Sequence, residues 1–338
     1  MTSDNMLQEI RTEDAVGMVL AHDLTQIIPG EFKGRLFKKG HVIQKDDIPK
    51  LLDIGKEHIY ILNLKAGYLH ENDAAIQMAN LVQGENVELT EPHEGKVTIK
   101  SIIPGLAKVE PELIHQLNKI DEIAVATLKN NSVVEADQGI VGTRVIPLIV
   151  KKEKLELFEK TIEQFKQNHN SRSIIQVKPF LKLKVGLITT GGEVYTGRIK
   201  DKFGPIVKQK IADFGSEVVE QRFSPDDAGT IVQHIRDFKE EKVDLILITG
   251  GMSVDPDDRT PGAIKQAGAD IVSYGTPMLP GSMLMMAYLD GTPIMGLPGC
   301  VMHDPYTSFD VLLPRICAGE KIEKEDITVL GYGGLHNC

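Results

Sequence analysis

The stretch Asp244-Leu-Ile-Leu-Ile-Thr-Gly-Gly-Met-Ser-Val-Asp-Pro-Asp-Asp-Arg-Thr-Pro261 decides the fold, because it joins a buried strand to a glycine turn and then to a group of carboxylates. An earlier stretch, Val185-Gly-Leu-Ile-Thr-Thr-Gly-Gly-Glu-Val-Tyr-Thr-Gly197, repeats the order of apolar strand, Thr-Gly-Gly and acid. An α/β sheet places its ligand at such a break, at the carboxyl end of a parallel strand. The two turns therefore predict a site that holds an anionic ligand through backbone N–H groups, with a metal ion bridging the acids.

From Leu183 onward, apolar runs typical of buried strands alternate with helical patterns. The predicted strands are 184–189, 217–223, 244–249, 269–274 and 293–297, and the predicted helices are 203–214, 227–239, 259–267 and 304–316. Strands that alternate with helices form a parallel sheet with right-handed crossovers. We therefore predict an α/β fold with a three-layer, mostly parallel sheet domain in the C-terminal half, preceded by a smaller mixed α+β N-terminal region.

The N-terminal half has a different pattern. Short strands flank the turn Pro29-Gly30, and Asp46-Asp47-Ile48-Pro49 opens a helix with an aspartate N-cap. The polar run 167–173 is typical of a linker or a hairpin tip. The predicted domains are a β-rich unit over 1–65, a linker helix plus mixed α/β region over 66–180, the binding domain over 181–320 and a C-terminal tail over 321–338.

Composition restricts the possible partners and the compartment. The net charge of −10 over 338 residues argues against a nucleic-acid partner, which would bind a basic face. No apolar run approaches the roughly 20 residues that cross a bilayer, so no membrane partner is expected. Cys300, Cys317 and Cys338 form no even disulfide framework, and the polar N-terminus has no apolar signal core. These features predict a reduced, cytoplasmic protein.

The first turn combines glycines with an acid. Gly191 and Gly192 let the backbone approach a ligand without interference from a Cβ atom. Glu193 follows directly, and it is either a Mg²⁺ ligand beside the anion or a surface acid after a glycine turn. Asp201 precedes the next helix, so it is either an N-cap or a contact to a ligand hydroxyl group. In Ser224-Pro-Asp-Asp227, one acid caps a helix and the other faces the site.

The second turn carries the stronger pattern. Thr249-Gly250-Gly251 is followed by Asp255, Asp257 and Asp258 within four residues of one another, and such close carboxylates repel one another unless a cation neutralises them. A phosphate bridged by Mg²⁺ would remove this repulsion. The alternative is an acidic helix start capped by Asp258, and both interpretations hold together, because a helix N-terminus itself favours an anion.

A third turn, Gly296-Leu-Pro-Gly299, follows the strand Pro293-Ile-Met-Gly. Its proline fixes the turn, and its glycines permit close approach of a ligand. Cys300 comes next, but the sequence around it has no nucleophile triad, so a packing role is predicted for it.

At these three turns the chain resembles the molybdopterin-binding domain of molybdenum-cofactor biosynthesis enzymes, the molybdenumtransferase and adenylyltransferase-like proteins. Thr190-Gly-Gly-Glu193 looks like the first motif of that domain. The stretch 249–261 looks like its Gly-Gly-x-(Gly/Ser)-x-x-x-x-Asp-x-Thr segment, and Gly296-Leu-Pro-Gly299 is similar to its Gly-Leu-Pro-Gly turn.

The resemblance implies a Mg²⁺-dependent cleft for molybdopterin or its adenylylated form, which carries an ATP-derived AMP moiety, in a homo-oligomer (dimer or trimer). It implies catalytic and metal-binding roles for Glu193, Asp257 and Asp258. The implied ligand-binding residues are Thr190, Gly191, Gly192, Asp201, Asp227, Thr249, Gly250, Gly251, Ser253, Thr260, Gly296, Pro298 and Gly299.

Three functions stay open at the level of sequence. The first is a molybdenumtransferase-like enzyme, although the Ser-x-x-Asp-Gly-(Tyr/Phe)-Ala segment expected in its N-terminal region is absent. The second is a non-catalytic molybdopterin carrier or regulator whose N-terminal half contacts a molybdoenzyme. The third is a nucleotide pyrophosphatase of the related domain, whose motif Pro256-Asp-Asp-Arg-Thr260 fits closely.

Overall fold

A computed structural model describes residues 7–28, 32–62, 64–169, 174–253, 255 and 258–336, with only the backbone described for Phe32. The chain divides into two compact units, Met1–Lys178 and Pro179–Cys338. Each unit contains its own hydrophobic cores.

The N-terminal unit begins with small antiparallel sheets. Its first elements are β1 (Leu7–Arg11), β2 (Leu24–Ile28), β3 (Phe32–Phe37), α1 (Ile48–Asp53) and β4 (His58–Leu62). Strand β1 pairs with β4, and β2 pairs with β3. Leu20, Leu51 and Ile59 are among the residues of the small core beneath these elements. Helix α1 begins with Pro49 in its first turn, as its sequence predicts, whereas the predicted turn Pro29-Gly30 lies outside the described residues.

The rest of this unit is a larger α+β assembly. Its elements are β5 (Tyr68–His70), α2 (Glu71–Val82), β6 (Val87–Leu89), β7 (Lys96–Ser101), β8 (Gly105–Val109), α3 (Pro111–Leu117), β9 (Ile123–Thr127), β10 (Ser132–Val134), β11 (Gly139–Val145), β12 (Ile149–Lys151), α4 (Lys152–His169) and β13 (Ile175–Lys178). The strands form sheets of order β6-β7-β11-β9, β10-β8-β13 and β12-β5. Helix α2 packs on β7 and β11 and also against α4. The predicted linker 167–173 is helical up to His169, and residues 170–173 lie outside the described residues.

The C-terminal unit contains a six-stranded sheet. Its elements are β14 (Lys184–Thr190), α5 (Gly192–Tyr195), α6 (Phe203–Ala212), β15 (Glu217–Ser224), α7 (Ala228–Glu240), β16 (Leu245–Thr249), α8 (Thr260–Gln266), β17 (Asp270–Tyr274), β18 (Met285–Leu289), β19 (Thr292–Leu297), α9 (Ser308–Cys317) and α10 (Lys324–Thr328). The strand order is β15-β14-β16-β19-β18-β17. Strands β15, β14, β16 and β19 run parallel, while β18 and β17 continue the sheet as antiparallel strands.

Side chains along the central strands point alternately to the two faces of the sheet, and helices cover each face, so the domain has three layers. Leu245 and Leu247 of β16 belong to one core, together with residues of α6 and α9. Ile246 and Ile248 point the other way, into a second core with residues of α7 and α8. Both faces of the sheet are therefore covered by helices, which explains the continuous apolar runs of its parallel strands. The predicted α/β fold, three-layer and mostly parallel, is confirmed.

The structure also differs from the prediction at one edge. Strand β18 was not predicted, and it makes the β17–β18–β19 part of the sheet antiparallel. Helix α9 begins at Ser308 rather than at residue 304, because Thr307 caps it and Asp310 completes a capping box. In the described part of the chain, no helix is long and apolar enough to cross a membrane.

Candidate functional site

The two Thr-Gly-Gly turns touch each other at the carboxyl edge of the sheet. Strands β14 and β16 are parallel neighbours, so both turns leave the sheet at the same edge. The Thr190 hydroxyl donates a hydrogen bond to the Thr249 carbonyl at 3.2 Å. Gly250 has φ +88°, and a Cβ atom there would lie 2.5 Å from the Thr190 carbonyl oxygen. Only glycine permits both this backbone conformation and this approach.

The third turn packs against the second. Strand β19 runs parallel to β16 and ends at Leu297, directly before Pro298 and Gly299. A Cβ atom on Gly296 would lie 2.5 Å from the Met252 sulfur, so the missing side chain at Gly296 makes room for Met252. The three turns singled out in the sequence therefore meet at one edge of the sheet.

Two cavities lie along this edge. The small cavity, of about 370 Å³, is lined by Thr189, Thr190, Glu193, Val194, Ile199, Lys200, Asp201, Lys202, Phe203, Thr249, Gly250 and Met302. The large cavity, of about 580 Å³, is lined by Gly250, Gly251, Met252, Ser253, Asp258, Leu279, Pro280, Gly281, Ser282, Met283, Leu297, Pro298, Gly299, Cys300 and Asp304. Gly250 lines both, and each volume lies in the range of roughly 300–1,000 Å³ typical of small-molecule sites.

The two acids that follow β15, Asp226 and Asp227, accept hydrogen bonds from the protein backbone. The Gly192 N–H, predicted to bind a ligand, donates to the Asp226 carboxylate at 2.8 Å. Asp227 caps α7, accepting from the Thr230 N–H at 2.8 Å, and this hydrogen bond lowers the pKa of Asp227. Neither acid lines the small cavity or the large cavity, and Gly191 and Gly192 do not line them either. One acid, Asp227, is therefore a helix cap, as the sequence suggested. The other, Asp226, binds the backbone of the first turn.

Glu193 and Asp201 both line the small cavity. Glu193 is exposed, and its carboxylate lies beside Gly191. Asp201 accepts hydrogen bonds from the Phe203 N–H at 2.9 Å and from the Gln221 side-chain amide at 2.7 Å. Asp201 therefore orders the start of α6 while its carboxylate also borders the cavity, which joins the two roles that its sequence position allowed.

Asp258 lines the large cavity from a closed loop. Its carboxylate accepts from the Asp255 N–H at 3.1 Å, and its own N–H donates to the Asp255 carbonyl at 2.9 Å. Thr260 is buried, and its hydroxyl donates to the Gly250 carbonyl at 2.9 Å, so it fixes the second turn. Ser253 is exposed at the large cavity. Asp257 lies outside the described residues.

The predicted metal ligands do not form a preassembled cage. Within the ranges that the structure describes, no three or more His, Cys, Asp or Glu residues group so that they could hold a metal ion. Glu193 lines the small cavity and Asp258 lines the large one. The protein side of any Mg²⁺ site here is therefore one or two carboxylates, a set that fits this ion only when ligand phosphate oxygens and water complete the coordination.

The charge differs between the cavities. The small cavity is lined by two cations, Lys200 and Lys202, together with the carboxylates of Glu193 and Asp201, whereas the charged residues lining the large cavity are Asp258 and Asp304. The sequence prediction missed both lysines and Asp304, because a short charged run beside a turn is typical of any solvated surface. Ser282 was noted only as part of a turn near the same edge, and it lines the large cavity.

The two cysteines among the described residues differ in their surroundings. Cys300 lines the large cavity. Cys317 is buried in α9, and burial raises the pKa of its thiol to about 12, so the thiol stays protonated at neutral pH. Cys338 lies outside the described residues.

The fold and the cleft together define the C-terminal unit as a three-layer α/β domain with cavities of small-molecule size at the carboxyl edge of its sheet. Residues 186–317 match the family model described as "Probable molybdopterin binding domain". The match covers the segment that carries the three turns, and the resemblance seen in them is confirmed. Residues 9–63 match a second model, described as "Domain of unknown function (DUF8806)".

Individual relatives match over a similar length of chain. A molybdopterin molybdenumtransferase of Staphylococcus aureus (strain COL) is 30% identical over 131 residues, which are 37% of this chain and 31% of the relative. The relative from S. aureus strain MSSA476 matches to the same extent. The chain thus matches about a third of the length of these curated relatives.

Among solved structures, the molybdopterin biosynthesis enzyme MoaB of Thermus thermophilus is 23% identical. That likeness covers 41% of this chain and 98% of MoaB, with a TM-score of 0.34.

Proposed function

We propose that the cleft formed by the small and large cavities binds molybdopterin or adenylyl-molybdopterin in molybdenum-cofactor biosynthesis. The observation that carries this proposal is the meeting of the three glycine turns at one sheet edge, where Gly250 lines both cavities. The family match over residues 186–317 supports the identity of the ligand. The match to a molybdopterin molybdenumtransferase over 131 residues supports a transferase-like role.

The charge distribution supports one orientation of the ligand. The phosphate end lies in the small cavity, where Lys200 and Lys202 offset the carboxylates of Glu193 and Asp201, whereas, among the described residues, no lysine or arginine lines the large cavity. The pterin lies in the large cavity, where the carboxylates of Asp258 and Asp304 accept hydrogen bonds from its amino and ring N–H groups. Exchanging the two ends would place the phosphate beside these carboxylates and desolvate like charges together.

Mg²⁺ is part of this proposal. Asp258 and Glu193 each present a carboxylate to the cleft, and Asp257 is adjacent in sequence. Such a set suits Mg²⁺, which uses one or two carboxylates together with phosphate oxygens. The ion would lower the charge repulsion between the ligand phosphate and these acids.

The proposal extends to the setting of the protein. The buried Cys317, which forms no disulfide, supports a reducing compartment, the cytoplasm. We also propose that the protein forms a homo-oligomer and that a molybdoenzyme receives the cofactor from it.

The test is a titration of the purified protein with molybdopterin, with and without Mg²⁺ and ATP, while AMP and pyrophosphate are measured. Binding with Mg²⁺-dependent nucleotide chemistry supports the enzyme, and binding without chemistry supports a carrier. Cleavage of nucleotides with no binding of pterin contradicts the proposal and supports a pyrophosphatase.

The orientation has its own test. The double variant Lys200→Gln with Lys202→Gln should bind molybdopterin roughly tenfold more weakly, as expected for the loss of two exposed charge contacts. It should bind a phosphate-free pterin as the parent protein does. Lys208→Gln, an exposed position of α6 away from both cavities, is the control. An equal loss for both ligands would place the phosphate elsewhere.

A further inference from the structure

A trough on the N-terminal unit has no role in the proposed function. It has a volume of about 450 Å³ and lies on the outer face of the sheet β6-β7-β11-β9. The inner face of this sheet packs on α2, where the Thr143 hydroxyl donates to the Ala75 carbonyl at 3.0 Å. The outer face bears small side chains, and the trough is defined here by Lys96, Thr98, Ala124, Ala126, Gly142 and Arg144.

Strand register fixes the layout of the trough. Gly142 of β11 lies opposite Thr98 of β7 on one side and Ala126 of β9 on the other. This row of small residues forms the floor. Two residues further along β11, roughly 7 Å away, Arg144 lies directly opposite Lys96 and beside Ala124. An apolar floor therefore ends at two adjacent cations.

In the part of the chain that the structure describes, neither of these two cations forms an ion pair with a carboxylate. Like charges directly opposite on neighbouring strands destabilise a sheet. Yet no ion pair or side-chain hydrogen bond of Lys96 or Arg144 occurs among the described residues. By contrast, Lys100 on the same strand as Lys96 pairs with Asp137 at 2.7 Å.

The nearby acids do not change this conclusion. Glu71 is buried at the start of α2, and its burial raises its pKa, an effect that the positive charge of Arg144 opposes. The Glu94 carboxylate accepts a hydrogen bond from the Thr25 hydroxyl at 2.7 Å. Arg144 is therefore attracted by the buried Glu71, but neither acid forms an ion pair with Lys96 or Arg144 among the described residues.

We propose that this trough docks an extended, acidic segment of a partner protein. The carboxylates of the segment neutralise Lys96 and Arg144, and its small apolar side chains cover Ala124, Ala126 and Gly142. Charge complementarity identifies the occupant, because a pair of unpaired cations beside an apolar floor selects an acidic chain with apolar residues between its acids. The shallow floor of small side chains lets the backbone of the segment lie close to the sheet.

Gly142 offers a direct test that spares the fold. A Cβ atom at Gly142 would meet nothing within 4 Å, and its φ is not in the left-handed region. Gly142→Leu therefore fills the trough without backbone strain, and replacing a glycine within a strand favours the sheet. The charge test is the double variant Lys96→Gln with Arg144→Gln. Its matched control is Lys119→Gln with Lys160→Gln, two exposed cations on other elements that change the net charge equally.

The experiment measures fluorescence anisotropy of a labelled peptide of alternating glutamate and alanine, titrated with the full-length protein at low and high salt. The full-length protein should bind it, and the Lys96/Arg144 variant should bind roughly tenfold more weakly, the loss expected when two exposed charge contacts disappear. Gly142→Leu should also bind more weakly, because its side chain occupies the floor on which the peptide would lie. The control variant should bind as the parent does, and a peptide of alternating glutamine and alanine should not bind.

Two results would overturn the proposal. One is the absence of peptide binding at low salt. The other is binding that Gly142→Leu leaves unchanged, or that the control double variant weakens as much as the Lys96/Arg144 variant, since either shows attraction to overall charge rather than docking in the trough. Neither result bears on the cleft of the C-terminal unit.

Discussion

Gly250 connects the two cavities, and its backbone explains why no other residue can replace it. It has φ +88°, and a Cβ atom would lie 2.5 Å from the Thr190 carbonyl oxygen. Gly250→Ala should therefore lower the free energy of unfolding by about 2 kcal/mol or more, and it should separate the first two turns and abolish ligand binding. Chemical denaturation and ligand titration measure the two effects.

Gly268 provides the control for this prediction. It also has a positive φ, +95°, but a Cβ atom there would meet nothing within 4 Å. Gly268→Ala should lower stability by only about 1 kcal/mol, the backbone term alone, and should leave binding unchanged. Equal effects of the two substitutions would mean that contact with Thr190 has no part in forming the cleft.

At Asp258, a substitution by asparagine removes the charge and keeps the hydrogen bond to the Asp255 N–H. The Asp258 carboxylate oxygen accepts from the Asp255 N–H, and an asparagine oxygen accepts the same hydrogen bond. Asp258→Asn should thus retain the melting temperature but reduce any turnover by roughly a hundredfold or more, as expected when an electrostatic contact to the reacting group is lost. Asp255→Asn is the control, because Asp255 is exposed and lines neither cavity.

The turnover and Mg²⁺-dependent binding of Asp258→Asn would be measured in parallel with the control. Unchanged Mg²⁺ dependence in Asp258→Asn would remove Asp258 from the proposed metal site. A lowered melting temperature would instead mean that the charge stabilises the loop.

At the scale of elements, the central strands could be predicted because both of their faces are buried. Strands β14, β16 and β19 are continuous apolar runs that end in glycine turns, and sequence alone located each within about two residues. Strand β18 was missed, since its sequence Met285-Met-Ala-Tyr-Leu289 has no alternation and few β-branched residues. The following Asp290-Gly291 was the missed indication, because both residues have positive φ and form the hairpin turn into β19.

The candidate site was predictable only to the extent that it is local in sequence. The glycine turns follow from backbone chemistry, and the parallel topology brings their ends together. The contact of Asp226 with Gly192 depends instead on how the β15–α7 connection packs beside β14. No periodicity or motif predicts that contact. None predicts that Lys200 and Lys202 line the small cavity either.

His70 begins helix α2 and ties it to the small sheets that precede it. It is fully buried, its Nε2 donates to the Ala21 carbonyl at 2.5 Å, and its Nδ1 accepts from the Asn72 N–H. Burial lowers its pKa from 6.5 to about 4. The folded state therefore keeps His70 neutral, while the unfolded chain takes up a proton below pH 6.5.

The stability contributed by neutral His70 is present above pH 6.5 and should be lost progressively as the pH falls from 6.5 toward about 4. His70→Asn keeps a capping oxygen for α2 but removes the titration, so its stability should vary less with pH over this window. Exposed His58→Asn is the control and should keep the slope of the parent protein. Denaturant melts at several pH values measure the slopes; parallel slopes for all three proteins would contradict the prediction.

At the scale of the whole molecule, the cleft is built from one unit. Every strand of the six-stranded sheet comes from Pro179–Cys338, and so does every residue that lines the two cavities. Cores on both faces of that sheet contain only residues of the same unit. A chain with its own two-sided core satisfies the requirements for independent folding.

We therefore expect a fragment of residues 179–338 to fold cooperatively and to bind the ligand with the affinity of the full chain, as measured by denaturant melts and ligand titration. Its C-terminal end matters, because the Leu279 N–H donates to the Gly334 carbonyl and the His336 N–H donates to the Leu279 carbonyl, each at 2.8 Å. Leu279 lines the large cavity, so a fragment ending at residue 331 should fold but bind more weakly. A folded 179–338 fragment that fails to bind would show that the ligand also requires residues of the N-terminal unit.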